Sequence, residues 1–116
     1  MAVDSLVAHG SIISGSHVAN SLLSTNVRVN DYSHVTRSVL LPDVVIGKHC
    51  RIDRAIIDKK TVIPDNTVIG ENRSNDSRLY YVSPGGITLV TPEMLGQGLH
   101  RNNPNLLAGS YERVNP

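Results

Sequence analysis

Leu, Ile and Val recur between residues 6 and 69 at steps of six, six and five, and the pattern repeats every seventeen residues. Leu6, Leu23, Leu40 and Ile57 fall in one column, Ile12, Val29, Ile46 and Ile63 in a second, and Val18, Val35, Ile52 and Ile69 in a third. All twelve positions are aliphatic, although these three types supply only 34 of the 116 residues. Two residues before each column stands another, mostly of small side chains: Ser16, Ser33, Cys50 and Thr67; Ser21, Ser38 and Ala55; and Gly10, Val27, Val44 and Thr61. On an extended chain, side chains two residues apart point the same way. Each seventeen therefore predicts three short strands, each turning one large and one small side chain inward. Steps of six, six and five scatter the same residues around a 3.6-period helix, which excludes a helical reading.

Three strands per repeat close into one coil of a parallel β-helix, a triangular prism whose coils stack at about 4.8 Å. About four coils of 17 residues fit between Leu6 and Ile69. The columns do not fix the hand. Likeness to hexapeptide-repeat helices does, and these wind left-handed against the usual crossover rule. The corners carry turn chemistry: Asn30-Asp31, Pro42-Asp43, Gly47, Pro64-Asp65-Asn66 and Gly70.

The outward positions bear on function. Ser11, Arg28, Val45 and Val62 line one side, and His17, His34, Arg51 and Val68 another. The third side presents Leu22, Val39 and Ile56, with Leu41 just past the corner. Single exposed aliphatics are ordinary, but three stacked on one face make a contiguous apolar patch, so these four residues are the expected interface. His17 and His34 stand one rung apart, yet the next rung is Arg51 and the column has neither a carboxylate nor a third His. A metal site is not expected there.

Composition narrows the classes. A chain of 116 residues with net charge +1 reads as one domain. Aromatics are limited to Tyr32, Tyr80, Tyr81 and Tyr111, with no basic run, so nucleic acid is not an expected partner. No apolar run reaches membrane-spanning length, and the start lacks a signal-peptide layout. Cys50, in a small inward column, is expected to be a buried inert thiol in a reduced, cytoplasmic protein. No phosphate loop and no Ser/His/acid or Cys/His spacing emerges, so no catalytic residue, metal ligand or cofactor-binding residue is expected. Met1–Ser5 is too short a lead to cap an open coil. Either another chain covers that end, or the sequence is the back part of something longer; the second is preferred.

Beyond Gly70 the period stops. Glu71–Tyr81 is polar and reads as a helical turn or loop leaving the last coil. Gly86–Val90 reads as a strand after the Pro84-Gly85-Gly86 turn. Thr91-Pro92-Glu93 has the layout of a helix start. Strand and helix, within 73–95, are expected to cover the end of the prism. Residues 96–116, rich in Gly, Asn and Pro, are expected to form a flexible tail.

The run Leu40-Leu41-Pro42-Asp43-Val44-Val45-Ile46-Gly47, with Ile56-Ile57-Asp58-Lys59 and Val62–Asn72, resembles the C-terminal domain of bacterial glucose-1-phosphate adenylyltransferase (ADP-glucose pyrophosphorylase). The non-repetitive exit carries more weight than the coils, which many transferases share. Arg78-Leu79-Tyr80-Tyr81 followed by Gly86–Leu95 resembles the end of the same family, and the likeness runs from about Val3 to Leu95.

The resemblance implies a division of labour. An N-terminal nucleotidyltransferase domain joins ATP and glucose 1-phosphate into ADP-glucose and pyrophosphate with magnesium, a step of glycogen biosynthesis. The C-terminal β-helix packs against it, builds a homo-tetramer and helps form an allosteric pocket. This chain shows no counterpart of the catalytic half, so it is expected to be inactive alone and to self-associate. Some members carry basic residues around the Thr-x-Glu-Met-Leu segment, where effector anions bind. Pro92 and Gly96 occupy those places here, leaving Arg73, Arg78 and Arg101 as candidates for an anionic effector. Two rivals stand beside this reading: a free-standing hexapeptide-repeat acyltransferase, and the assembly module of another sugar nucleotidyltransferase.

Overall fold

The structure, a computed structural model, describes residues 1–97. Its strands are two or three residues long and stack on three faces. The first face holds Ala2–Val3, His17–Ala19, His34–Thr36, Arg51–Asp53 and Val68–Ile69. The second holds, from the start of the prism upward, Leu6–Val7, Leu22–Leu23, Val39–Leu40, Ala55–Ile57, Thr88–Val90 and Tyr81–Val82. The third holds Ile12–Ile13, Arg28–Val29, Val45–Ile46 and Val62–Ile63. All pairings are parallel except the last on the second face, where Tyr81 runs antiparallel beside Leu89. This is the expected left-handed parallel β-helix of about four coils.

The inward columns form the core. Val18, Val35, Ile52 and Ile69 fill one side, Leu23, Leu40, Ile57 and Val90 another, and Val29, Ile46 and Ile63 the third, all at most 1% exposed. Stacked rungs give each aliphatic a like neighbour above and below, so the core is continuous along the axis.

The first coil departs from the expected register. Leu6 stands beside Leu22 and Ile12 beside Arg28, sixteen residues apart rather than seventeen. Val7 and Ile13 therefore take the inward positions, Ile13 half-buried against the core and Val7 still 38% exposed at the open end, while Leu6 and Ile12 face out at 67% and 49% exposure. Side chains alternate with period two, so a one-residue slip moves every side chain to the other face. Register returns at Val18, which pairs with Val35 seventeen residues on. The corner around Gly15, at φ +52°, is thus one residue shorter than its successors. The expected inward Gly10 is a corner residue at φ +84°, and Ser11 takes the inward place.

The small column is rich in serine for a hydrogen-bonding reason. Ser21 Oγ accepts the Ser38 N–H at 3.1 Å, and Ser38 Oγ accepts the Ala55 N–H at 3.2 Å. On the next corner Ser16 Oγ accepts from Ser33 N–H at 3.2 Å, and Ser33 Oγ from Cys50 N–H at 3.0 Å. Each hydroxyl serves an amide of the coil above that is otherwise buried without a partner.

Past the last coil, the polar exit forms a helix over Arg73–Leu79, with the Asn72 side chain capping the Asn75 amide. Tyr81–Val82 is an added strand that the sequence does not announce, hairpinned to Thr88–Val90 through the Gly85-Gly86 turn. Pro92–Leu95 is a 3-10 turn rather than an α-helix; Thr91 holds the N-cap position but its side chain caps nothing. Gln97 then docks on the top edge of the third face. Its Oε1 accepts from the Val62 amide at 3.0 Å and its Nε2 donates to the Val62 carbonyl at 2.9 Å. The remainder of the expected tail, residues 98–116, lies outside the described residues.

Candidate functional site

The second face is the candidate site. Leu22 pairs with Val39, and Val39 with Ile56, so the three expected residues form one ladder. The fold lengthens it at both ends. Leu6 joins below through the short first coil, Leu89 stacks on Ile56 above, and Tyr81 closes the top beside Leu89. Six large apolar side chains thus run unbroken up a six-stranded sheet, a strip about 24 Å long at the usual inter-strand spacing. Leu6, Leu22, Ile56 and Tyr81 are exposed, and Val39 and Leu89 half-buried. Leu41, the expected flank, is half-buried at the corner. The lower part of the strip borders a shallow depression that also touches Asp4, Asn20 and Arg37. Such a strip suits a dry, shape-matched contact rather than chemistry.

The first face is polar. The His17 and His34 rings lie 6.0 Å apart and tilted by 42°. Arg51, the next rung, is neutralised by Glu71 at 2.9 Å. Among the described residues no group of three or more His, Cys, Asp or Glu side chains could hold a metal ion. Asp53 anchors the corner: Arg37 donates to both its oxygens, at 3.0 and 2.6 Å, and Thr36 Oγ1 donates at 2.7 Å. Burial alone would raise the Asp53 pKa. The hydrogen bonds from Arg37 and Thr36, with the charges of Arg37 and Arg54, outweigh it and hold the carboxyl below the usual range. Cys50 is fully buried, and burial pushes its thiol up despite hydrogen bonds to it. It is poorly suited to nucleophilic attack.

The three arginines expected to meet an anion do not form a cluster. Arg73 donates to the Ser83 carbonyl at 3.3 Å and borders a cleft with Arg54, Gly70, Asp76 and Gly85-Gly86. Arg78 is exposed on the helix and does not line that cleft. Arg101 lies outside the described residues. Arg54 was missed because it sits at a corner of the third coil, far in sequence from the exit. No local pattern ties it to Arg73.

The geometry is that of a hexapeptide β-helix with an apolar ladder along one face. The chain belongs to the family described as GlmU-like, C-terminal hexapeptide, whose model matches residues 1–90. Among curated proteins it is similar to glucose-1-phosphate adenylyltransferases. It is 64% identical over 100 residues to the one from Methylococcus capsulatus, covering 86% of this chain and 24% of the relative. It is 56% identical over 97 residues to that of Nitrosococcus oceani, covering 84% of this chain and 23% of the relative. A third, glucose-1-phosphate adenylyltransferase 2 of Alkalilimnicola ehrlichii, is 50% identical over 100 residues, with 86% and 24% covered. The chain spans about a quarter of the length of these relatives and matches their C-terminal part.

Proposed function

We propose that this chain is the C-terminal β-helix unit of a glucose-1-phosphate adenylyltransferase, and that it works by holding a nucleotidyltransferase domain against its second face. The observation that carries the reading is the Leu6–Leu22–Val39–Ile56–Leu89–Tyr81 ladder, of which Leu6, Leu22, Ile56 and Tyr81 are exposed and Val39 and Leu89 only half-buried. Its match to the C-terminal part of the named relatives supplies the partner. Adenylyl transfer from ATP to glucose 1-phosphate, and the magnesium it uses, then belong to that partner domain. The β-helix contributes position and assembly, including self-association into the homo-oligomer. An anionic effector role for Arg73 and Arg78 belongs to the same reading and rests on their place at the exit.

Docking would remove the strip from water, worth roughly 25 cal/mol per Å² of apolar surface. A single Lys at its centre introduces a charge that must be desolvated on contact. The test mixes this chain with a separately made nucleotidyltransferase half and measures sedimentation and adenylyl transfer. A complex forms with the native chain, and Val39→Lys or Ile56→Lys weakens it at least tenfold while leaving the circular dichroism unchanged. Equal assembly by native and Lys-bearing chains would place the contact elsewhere.

A further inference from the structure

We propose that the corner at Asp31 and Tyr32, between the third and first faces, is a docking site for a guanidinium: an arginine side chain presented by a partner polypeptide. The Tyr32 side chain is the starting point, with the residue 66% exposed. Its one ring partner among the described residues is His49 of the coil above, stacked at 5.0 Å with 13° between the planes. Tyr32 holds the corner at φ +64°, a left-handed conformation that is uncommon for a bulky side chain and clusters at functional positions. Asn66, in the same column two coils up, takes it at φ +63°, and asparagine adopts it more readily.

The short first coil leaves the ring uncovered on its other side. Asp31 and Tyr32 lie between Asn30 and Ser33, and Lys48 and His49 between Gly47 and Cys50, but Gly15 alone lies between Ser14 and Ser16. The Gly15 carbonyl accepts the Tyr32 amide at 3.0 Å, as the Asp31 carbonyl accepts the His49 amide at 3.1 Å. Gly15 therefore fills the place of Asp31, and the first coil has no counterpart of Tyr32 to stand beneath its ring. Asp31 borders that place. A Cβ added at Gly15 would come 2.9 Å from its Oδ1. Asp65, its counterpart two coils up, uses Oδ1 to accept the Lys48 amide at 2.8 Å. The half-buried Asp31 carboxylate has neither a hydrogen-bond donor nor an ion-pair partner among the described residues.

An uncovered aromatic face beside an unpaired carboxylate selects the ligand class. An oxyanion is repelled by Asp31. A neutral sugar or base stacks on the ring but partly desolvates the carboxylate without neutralising it. An ammonium pairs with Asp31 but has no flat surface to lay on the ring. A guanidinium does both: it stacks on a tyrosine face as a planar cation, and its fork of N–H donors matches a carboxylate. Lys48, one rung above Asp31, stands on the His49 side of Tyr32, away from the uncovered face. The corner is also separate from the Leu22–Val39–Ile56 ladder, so this contact stands or falls independently of what docks on the second face.

Nuclear magnetic resonance titration of the full chain with N-acetyl-L-arginine amide, a capped arginine residue, tests it. Saturable shifts of the Tyr32 and His49 ring resonances are expected, with a dissociation constant on the order of 10 mM for a single side chain. N-Acetyl-L-lysine amide binds at least about threefold more weakly. Asp31→Asn and Tyr32→Asn each weaken the capped arginine by a similar factor, read for Tyr32→Asn from the His49 resonances. Tyr32→Asn places at this corner the residue that Asn66 carries in the same conformation, so its thermal unfolding is expected to stay cooperative and no lower in midpoint. No saturable shift up to about 50 mM overturns the proposal. Lysine binding as tightly as arginine overturns the stacking, and methyl glucoside or adenosine binding as tightly overturns the ligand class. Binding unchanged in both variants overturns the location.

Discussion

Leu6 lies beside Leu22, not beside Leu23, and this one-residue displacement decides which side chains of the first coil face water. Its consequence is measurable. Leu23 is fully buried, so Leu23→Ala is expected to cost about 2–5 kcal/mol in urea unfolding. Leu6 is 67% exposed, so Leu6→Ser is expected to change stability by about 0.5 kcal/mol or less. Equal losses at the two sites would restore the seventeen-residue register that the structure replaces.

Gly70 marks the point where the coil ends. A Cβ there would stand 1.9 Å from the Asp53 carbonyl oxygen, and the backbone is at φ +94°. Neither the clash nor the angle is relieved by a side-chain movement. Gly70→Ala is expected to destabilise by several kcal/mol or abolish folding, since strain and overpacking add. Gly85→Ala is the control, because a Cβ there meets only Ser83 Oγ at 3.9 Å. Thermal unfolding of the two variants separates them; a stable Gly70→Ala chain would contradict the close approach.

Gln97 does the work of a missing strand. Its carboxamide pairs with both backbone groups of Val62, the top edge of the third face. Gln97→Ala is expected to cost about 1 kcal/mol and to raise hydrogen exchange at Val62. Gln97→Glu keeps the acceptor but loses the donor to the carbonyl, so it should fall between the two. Exchange at Val45, one coil below, should not move, since its amide bonds to the Thr61 carbonyl.

Asp53 gives the fold an acid-sensitive corner. Its carboxyl is held below the usual range by Arg37 and Thr36 against the opposing effect of burial. A group whose folded pKa lies below the unfolded one stabilises above the unfolded value, near 3.9 for Asp, and loses that contribution as pH falls through the folded value. Arg37 is 59% exposed, so the ion pair adds only about 0.2–1 kcal/mol. Asp53→Asn should therefore cost that much at pH 7 and narrow its deficit against the native chain below about pH 4. A constant difference across that range would show that the charge of Asp53 is not what stabilises the corner.

Both the fold and the candidate site divide along the same line. Between Val18 and Ile69 the seventeen-residue period fixed every inward and outward position, because strand alternation and coil length leave one register that puts a large aliphatic at the inward place of every strand and turns Arg28, His34 and Arg51 outward. Leu22, Val39 and Ile56 were legible as an outward ladder for the same reason. In the first coil the signal failed: Leu6-Val7 and Ile12-Ile13 are aliphatic pairs, so either member suits the core and the pattern cannot choose. The corner at Gly15 chose, by being one residue short.

Sequence by itself therefore determined the strand period, the prism and most of its core, since these rest on a repeat that each coil states afresh. Tertiary structure alone decided where the non-repeating end lands: Leu89 and Tyr81 on the ladder, Gln97 on Val62, and Asp76 beneath Gly70 in a cleft with Arg54. Those contacts join segments with no shared period. They are set by how the chain folds back over an open end whose strand edges and buried amides need partners.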